Sequence, residues 1–168
     1  LQAPGTAAAG AGRAVVGGAW LRAHARGAPA QESGEALMVL LDTNTCVYVI
    51  RKRPESVFRR LSGTAGRAVA LSVITAFELE IGALRAQGHR YSEAVRQFLR
   101  EFSVLPLEDS ARAAYGQLRT ELERRGEKIG AHDMLIAAHA MALGATLVTN
   151  NEKEFRRVKG LSIENWLA

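Results

Sequence analysis

From Met38 onward, short apolar runs alternate with stretches whose apolar residues recur every three or four positions, the two periods that distinguish strands from helices. Residues 38–41 (MVLL) form the first run, closed by Asp42, Thr43 and Asn44, residue types that end strands and open helices. A helix over about 44–52 follows, then a second one opened by Pro54 at a first-turn position. Residues 69–73 predict a second strand. Thr75 is expected to cap the next helix, in which Phe77, Ile81 and Leu84 repeat at i, i+4 and i+7 until Gly88 stops it. A helix over about 91–102 and a third strand at 104–107 come next. Asp109 or Ser110 then caps a long helix that ends at Arg124 and Arg125, where positive charge complements the helix dipole, with Gly126 beyond. The polar loop EKIGAH leads into an Ala-rich helix from about 133 to 143, stopped by Gly144. A fourth strand at 146–149, a short helix at 152–157 and an edge strand at 161–163 complete the pattern. Strands alternating with helices at this spacing predict an α/β fold: a three-layer α/β/α sandwich around four or five mostly parallel strands.

Composition divides the chain before Met38. Residues 1–37 are dominated by Ala and Gly with scattered Arg and follow neither period, so they bury too little apolar surface to offset their ordering entropy. They read as a flexible leader, not necessarily native to the functional protein, ahead of one domain at 38–168. The chain holds 22 Lys and Arg against 17 Asp and Glu, of which three and two fall before Met38, so the domain itself is mildly basic. That balance is compatible with a polyanionic partner and equally with an ordinary solvated surface. The single cysteine, Cys46, cannot close an internal disulfide and sits in the apolar run CVYVI, which fits a core thiol and a reducing, cytoplasmic setting. No stretch approaches the length of a membrane span, and residues 14–21 are short and Gly-rich.

The acidic residues fall where this pattern places strand ends. Asp42 directly follows the first strand, Glu78 lies in the first turn of the helix after the second, and Asp133 opens the helix before the fourth. Glu154 follows the fourth strand, just past Thr149, Asn150 and Asn151. Sites in open α/β sheets form outside the carboxyl ends of the strands, so one rim can gather all four. Carboxylate oxygens suit Mg²⁺ or Mn²⁺, ions that orient water and neutralise charge developing on a phosphodiester. Taken singly, an acid at a helix start is usually a cap or a dipole partner, and it is the four positions together that point to a site.

Three segments carry a family resemblance: MVLLDTNTCVYVI, LSVITAFELEIGA and GAHDMLIAAHAMALGATLVTNNEKEF. In order and spacing, from Met38 to about Trp166, they resemble the PIN-domain nucleases, and within them the VapC-type toxins of toxin–antitoxin pairs. The resemblance implies a PIN-like sandwich and Mg²⁺- or Mn²⁺-dependent hydrolysis of RNA that leaves a 3′-hydroxyl and a 5′-phosphate. It implies metal ligands at Asp42, Glu78 and Asp133, with Thr43 and Asn44 orienting the first Asp. Many PIN domains carry a further Asp after the TN motif. Here Asn151, Glu152 and Glu154 stand in that region, and Glu154 is the best placed for a catalytic role, reaching metal through water. The same resemblance implies a VapB-type antitoxin, a toxin homodimer and initiator tRNA as the RNA, cut at its anticodon loop. Two other readings stay open: a PIN nuclease of RNA processing or DNA cleavage without an antitoxin, and a co-repressor partner of a DNA-binding antitoxin.

His132-Asp133 invites comparison with HD phosphohydrolases, but the further histidines that chemistry needs are missing from register, and His132 reads as a loop side chain near the site. Arg51, Lys52 and Arg53 at a helix end, and Lys128 before Asp133, are the basic residues placed to meet an RNA backbone or, equally for the first three, to complement a helix dipole.

Overall fold

The computed structural model describes residues 38–52, 55–63, 67–86 and 88–167. The expected leader, Pro54 and Arg53 lie outside the described residues. Five strands, β1 (Met38–Leu41), β2 (Ala68–Ser72), β3 (Ser103–Leu105), β4 (Thr146–Val148) and β5 (Ile163–Glu164), form one sheet in the order β3-β2-β1-β4-β5, every pair parallel. The described helices are α1 (Thr43–Lys52), α2 (Glu55–Gly63), α3 (Val73–Arg85), α4 (His89–Glu101), α5 (Asp109–Arg124), α6 (Ala131–Ala142) and α7 (Glu152–Phe155).

The period of two along β1 assigns the layers. Val39 and Leu41 point to one side, into a core with Leu71 of β2 and with Cys46, Val49, Leu79, Val95, Phe98 and Trp166 from the α1–α4 layer and the last residues described. Leu40 points to the other side, into a core with Leu147 of β4 and with Leu118, Leu122, Ile136 and Phe155 from α5, α6 and α7. Both faces of the sheet are therefore covered, as a parallel sheet requires, and the three-layer sandwich follows. Cys46 is a buried core thiol.

Most elements fall within two residues of their expected bounds, and the exceptions are informative. The second strand ends at Ser72, whose hydroxyl accepts from the Ile74 amide at 3.2 Å and caps α3. Thr75 lies inside the helix, buried, with its hydroxyl donating to the Leu41 carbonyl at 3.4 Å. Glu78 accordingly stands in the second turn of α3, not the first. The Phe77, Ile81 and Leu84 repeat marks the helix but not its buried face: Phe77 is 60% and Leu84 78% exposed, while Thr75, Leu79 and Ala83 face the core. That helix ends at Arg85, and Gly88, at φ 151°, precedes α4. Glu108 is the residue before α5, and Asp109 sits in its first turn paired with Arg112, so neither Asp109 nor Ser110 is the cap. His132 belongs to the first turn of α6, not to a loop.

Candidate active site

Parallel register brings three strand ends to one level. Leu41 pairs with Leu71 on one side and Val148 on the other, so Asp42, Ser72 and Thr149 follow together at the carboxyl rim. The Asp42 amide continues the ladder by donating to the Val148 carbonyl at 2.9 Å. Asp42 is only 1% exposed, and both of its carboxylate oxygens are held. The Thr43 amide donates to Oδ1 at 2.7 Å, and the Thr149 hydroxyl donates to Oδ2 at 2.9 Å.

From Asp42 a chain of polar contacts runs both ways around the rim. In one direction the Thr43 hydroxyl donates to Glu78 Oε2 at 2.5 Å, and Glu78 Oε1 lies 2.8 Å from His132 Nδ1. In the other, Thr149 Oγ1 accepts from the Asn151 amide at 2.9 Å, and the Asn151 side-chain amide donates to Asp133 Oδ2 at 3.4 Å. Since His132 and Asp133 are neighbours in α6, the two arms meet and the chain closes into a ring. Gly130, just before α6, leaves room for the Asp133 carboxylate: a Cβ there would stand 3.2 Å from Oδ2. Glu154 keeps to the outside, 3.0 Å from Arg157, whose guanidinium also bonds the Lys128 carbonyl.

The electrostatics follow from this crowding. Burial pushes the Asp42 carboxyl up to about 6; the Thr149 and Thr43 hydrogen bonds resist, and the like charges of Asp133 and Glu78 add to the rise. Asp133 is also raised, by burial first and then by Glu78 and Glu154. Asp42 therefore feels Asp133 and Glu78, and Asp133 feels Glu78 and, from outside the ring, Glu154. Among the described residues no three acidic, His or Cys side chains are already drawn together into a metal cage. The carboxylates instead make their contacts to the hydroxyl, amide and imidazole groups of the ring. The donor set fits a hard divalent cation, since it offers oxygen ligands, partial burial and surplus negative charge.

The residues of the ring that no sequence pattern marked as contacts are Thr149 and His132. Thr43 acts as expected on Asp42, but through its amide, and its hydroxyl serves Glu78 instead. Asn44, also expected to orient Asp42, lines a groove beside the rim. His139, one of the histidines out of register with Asp133, is buried behind the rim with Nδ1 2.9 Å from the Ser72 hydroxyl, and burial lowers its basicity.

Residues 39–161 match the family model of the PIN domain. The chain belongs to the PIN-domain family. One relative, Ribonuclease VapC2 of Rickettsia felis, is 41% identical over 132 residues, which are 77% of this chain and 98% of that protein. The tRNA(fMet)-specific endonuclease VapC of Salmonella typhimurium is 38% identical over 131 residues, 77% of this chain and 98% of its own. In three dimensions the fold is similar to the crystal structure of VapBC2 from Rickettsia felis bound to a DNA fragment from its promoter. The TM-score is 0.74 at 40% identity, covering 77% of this chain and 98% of that one. The five parallel strands and their two helical layers are the PIN fold, and the protein is a PIN-domain nuclease. Nucleases of this family generally depend on a divalent metal. No described helix is long and apolar enough to cross a membrane.

Proposed function

We propose that this PIN-domain protein is the toxin of a toxin–antitoxin pair, an endoribonuclease that cuts initiator tRNA in its anticodon loop. The observation that carries the proposal is the closed ring of contacts, which places Asp42, Glu78 and Asp133 at one rim of the sheet. Supporting it are the ribonuclease relatives, one of them specific for tRNA(fMet), which align over nearly their whole length.

Asp42, Glu78 and Asp133 would hold Mg²⁺, with Mn²⁺ as a substitute, and Glu154 would reach it through water. When bound, the ion supplies polarisation of water and of the phosphate oxygens. The protein's own share is positional. Thr43 and Thr149 fix the Asp42 carboxylate so that its geometry is set before substrate arrives. Burial first, and then the like charge of the neighbouring acids, raises Asp42 and Asp133, and a bound cation would offset both, so the acids and the cation together would let an acidic rim accept a polyanion. Hydrolysis breaks the P–O3′ bond: the water oxygen bonds to phosphorus, and the departing oxygen takes up a proton to become the 3′-hydroxyl. RNA sequence is read in loops and unstacked ends, which an anticodon loop presents.

The partner is a VapB-type antitoxin that blocks this rim, with toxin chains paired as a homodimer in the cytoplasm and activity contained in residues 38–168. Likeness to a complex bound to promoter DNA supports a second role for that assembly, in repression, beside the enzyme's own.

Sequencing of 5′-phosphate ends after a short pulse of expression tests the substrate. A dominant cut in the anticodon loop of initiator tRNA, absent in Asp42→Asn, is the expected result. Cuts scattered through messenger RNA with initiator tRNA intact would refute the substrate and leave the nuclease standing. Undiminished cutting in excess EDTA would overturn the metal site.

A further inference from the structure

A groove opens beside the acid ring, along the outer face of α1. Asn44, Val47, Tyr48, Arg51 and Lys52 follow one another at i, i+3, i+4, i+7 and i+8, so they share that face. With Asn150 and Asn151 from the turn after β4 they line a cavity of about 470 Å³, within the range of cavities that hold small ligands. Asn151 also reaches Asp133, so the groove opens directly onto the acids. At 1.5 Å of rise per residue, Lys52 lies roughly 12 Å further from Asp42 along the helix than Asn44 does.

The chemistry is graded along this length. Asn44 and Asn150 sit next to the rim, Tyr48 stands 42% exposed halfway, and the cations lie at the far end. The guanidinium of Arg51 rests over the Tyr91 ring, 5.1 Å from its centroid, which fixes its place without neutralising it. Among the described residues no carboxylate lines the groove.

We propose that this groove is a nucleotide subsite for the strand being cut. One base stacks on Tyr48, the amides of Asn44 and Asn150 face its edge, and a flanking phosphate lies at Arg51 and Lys52. The proposal rests on the RNA-cutting reading above. Each part answers a need of a single strand: an aromatic face accepts any base, amides both donate and accept as base edges do, and cations take phosphate. The cations also offset, about two helical turns away, the repulsion that the acid rim exerts on the same strand. A helical peptide would need a line of apolar anchors, and among the described residues the lining offers only Val47 and Tyr48.

The test is steady-state cleavage of a short RNA stem-loop by the full chain with Mg²⁺. Tyr48→Ala and Tyr48→Leu are expected to lower kcat/KM about tenfold or more, chiefly through KM, the scale of losing one base–aromatic stack, while Tyr48→Phe stays within about twofold. Arg51→Gln should reduce the salt slope of binding by about one. Tyr48→Ala and Tyr48→Leu cutting like the wild type, or Tyr48→Phe losing as much as Ala, would overturn the subsite while leaving the nuclease reading intact. A wild-type protein that cuts no RNA would remove both. Unchanged RNA kinetics together with weaker inhibition by a co-expressed antitoxin would assign the groove to a peptide and overturn the proposal.

Discussion

Asp42 and Asp133 stand on the same rim and are held in opposite ways. Asp42 leaves the central strand β1, is all but fully buried, and has a donor on each oxygen at 2.7 and 2.9 Å. Asp133, half-buried in the first turn of α6, is met by one long contact of 3.4 Å from Asn151. One acid is set in place by the fold before any cation or substrate arrives. The other has freedom to move toward them. A site built this way combines a fixed reference point with an adjustable one, and the energetic cost is concentrated at the fixed point, where burial works against charge.

The largest expected effect is at that fixed point. Asp42→Asn should lower cleavage by more than about a hundredfold, beyond the scale of losing an outer-shell partner of a metal ligand. The same variant should melt no lower than the wild type at pH 7.5 in EDTA. The native carboxyl holds its proton up to about pH 6, whereas the unfolded one releases it near 3.8. Stability from this group is therefore complete below pH 4 and falls as pH rises to 6, by about 3 kcal/mol. Asn escapes that loss, so its advantage in melting temperature should shrink as pH falls from 7 to 4. An advantage that grows on acidification would contradict the burial argument.

Thr149→Val comes next. It removes the donor to Asp42 Oδ2 and the acceptor of the Asn151 amide together. Cleavage should fall about ten- to a hundredfold, with melting lowered by several degrees through the loss of a hydrogen bond to a charged group. Asp133→Asn should reduce cleavage strongly while leaving melting within a degree or two, because this acid does little for the fold. Equal destabilisation by Thr149→Val and Asp133→Asn in thermal melts would erase the contrast between the two acids. Gly130→Ala is milder: its Cβ would press on Asp133 Oδ2 from 3.2 Å, displacing a movable carboxylate. A loss of roughly threefold in cleavage with unchanged melting is expected, well below the hundredfold scale of a full ångström misplacement. Glu154→Gln should have the smallest effect, at most a few-fold, since that acid is engaged by Arg157 outside the ring.

The alternation of strands and helices was legible because burial writes a period into each segment, and Asp42 was legible because it directly follows the clearest strand. The boundary between β2 and α3 was not. In AVALSVIT the apolar run continues from strand into helix, so Ser72 is hidden as a cap and Thr75 is the more conspicuous polar residue. The exposed Phe77, Ile81 and Leu84 stripe shows a second limit: period reveals a helix, but small residues such as Thr75 and Ala83 carry the face that packs closely on a sheet. Thr149 and His132 escaped for a different reason. Their contacts span 107 and 54 residues, and no local pattern records which distant oxygen a hydroxyl or imidazole will meet.

The in-register pairing of β1 with both of its neighbours has a consequence for inheritance. Slipping β1 by one residue would exchange the Val39 and Leu41 side for the Leu40 side, pushing mismatched side chains into both layers at once. Deletions or insertions within MVLL are thus eliminated for the sake of packing, before their effect on chemistry is ever exposed. The height of Asp42 above the sheet is guarded by four aliphatic residues that touch no substrate, so descendants of this sequence can change their loops, and with them their RNA, while the cutting position stays where it is.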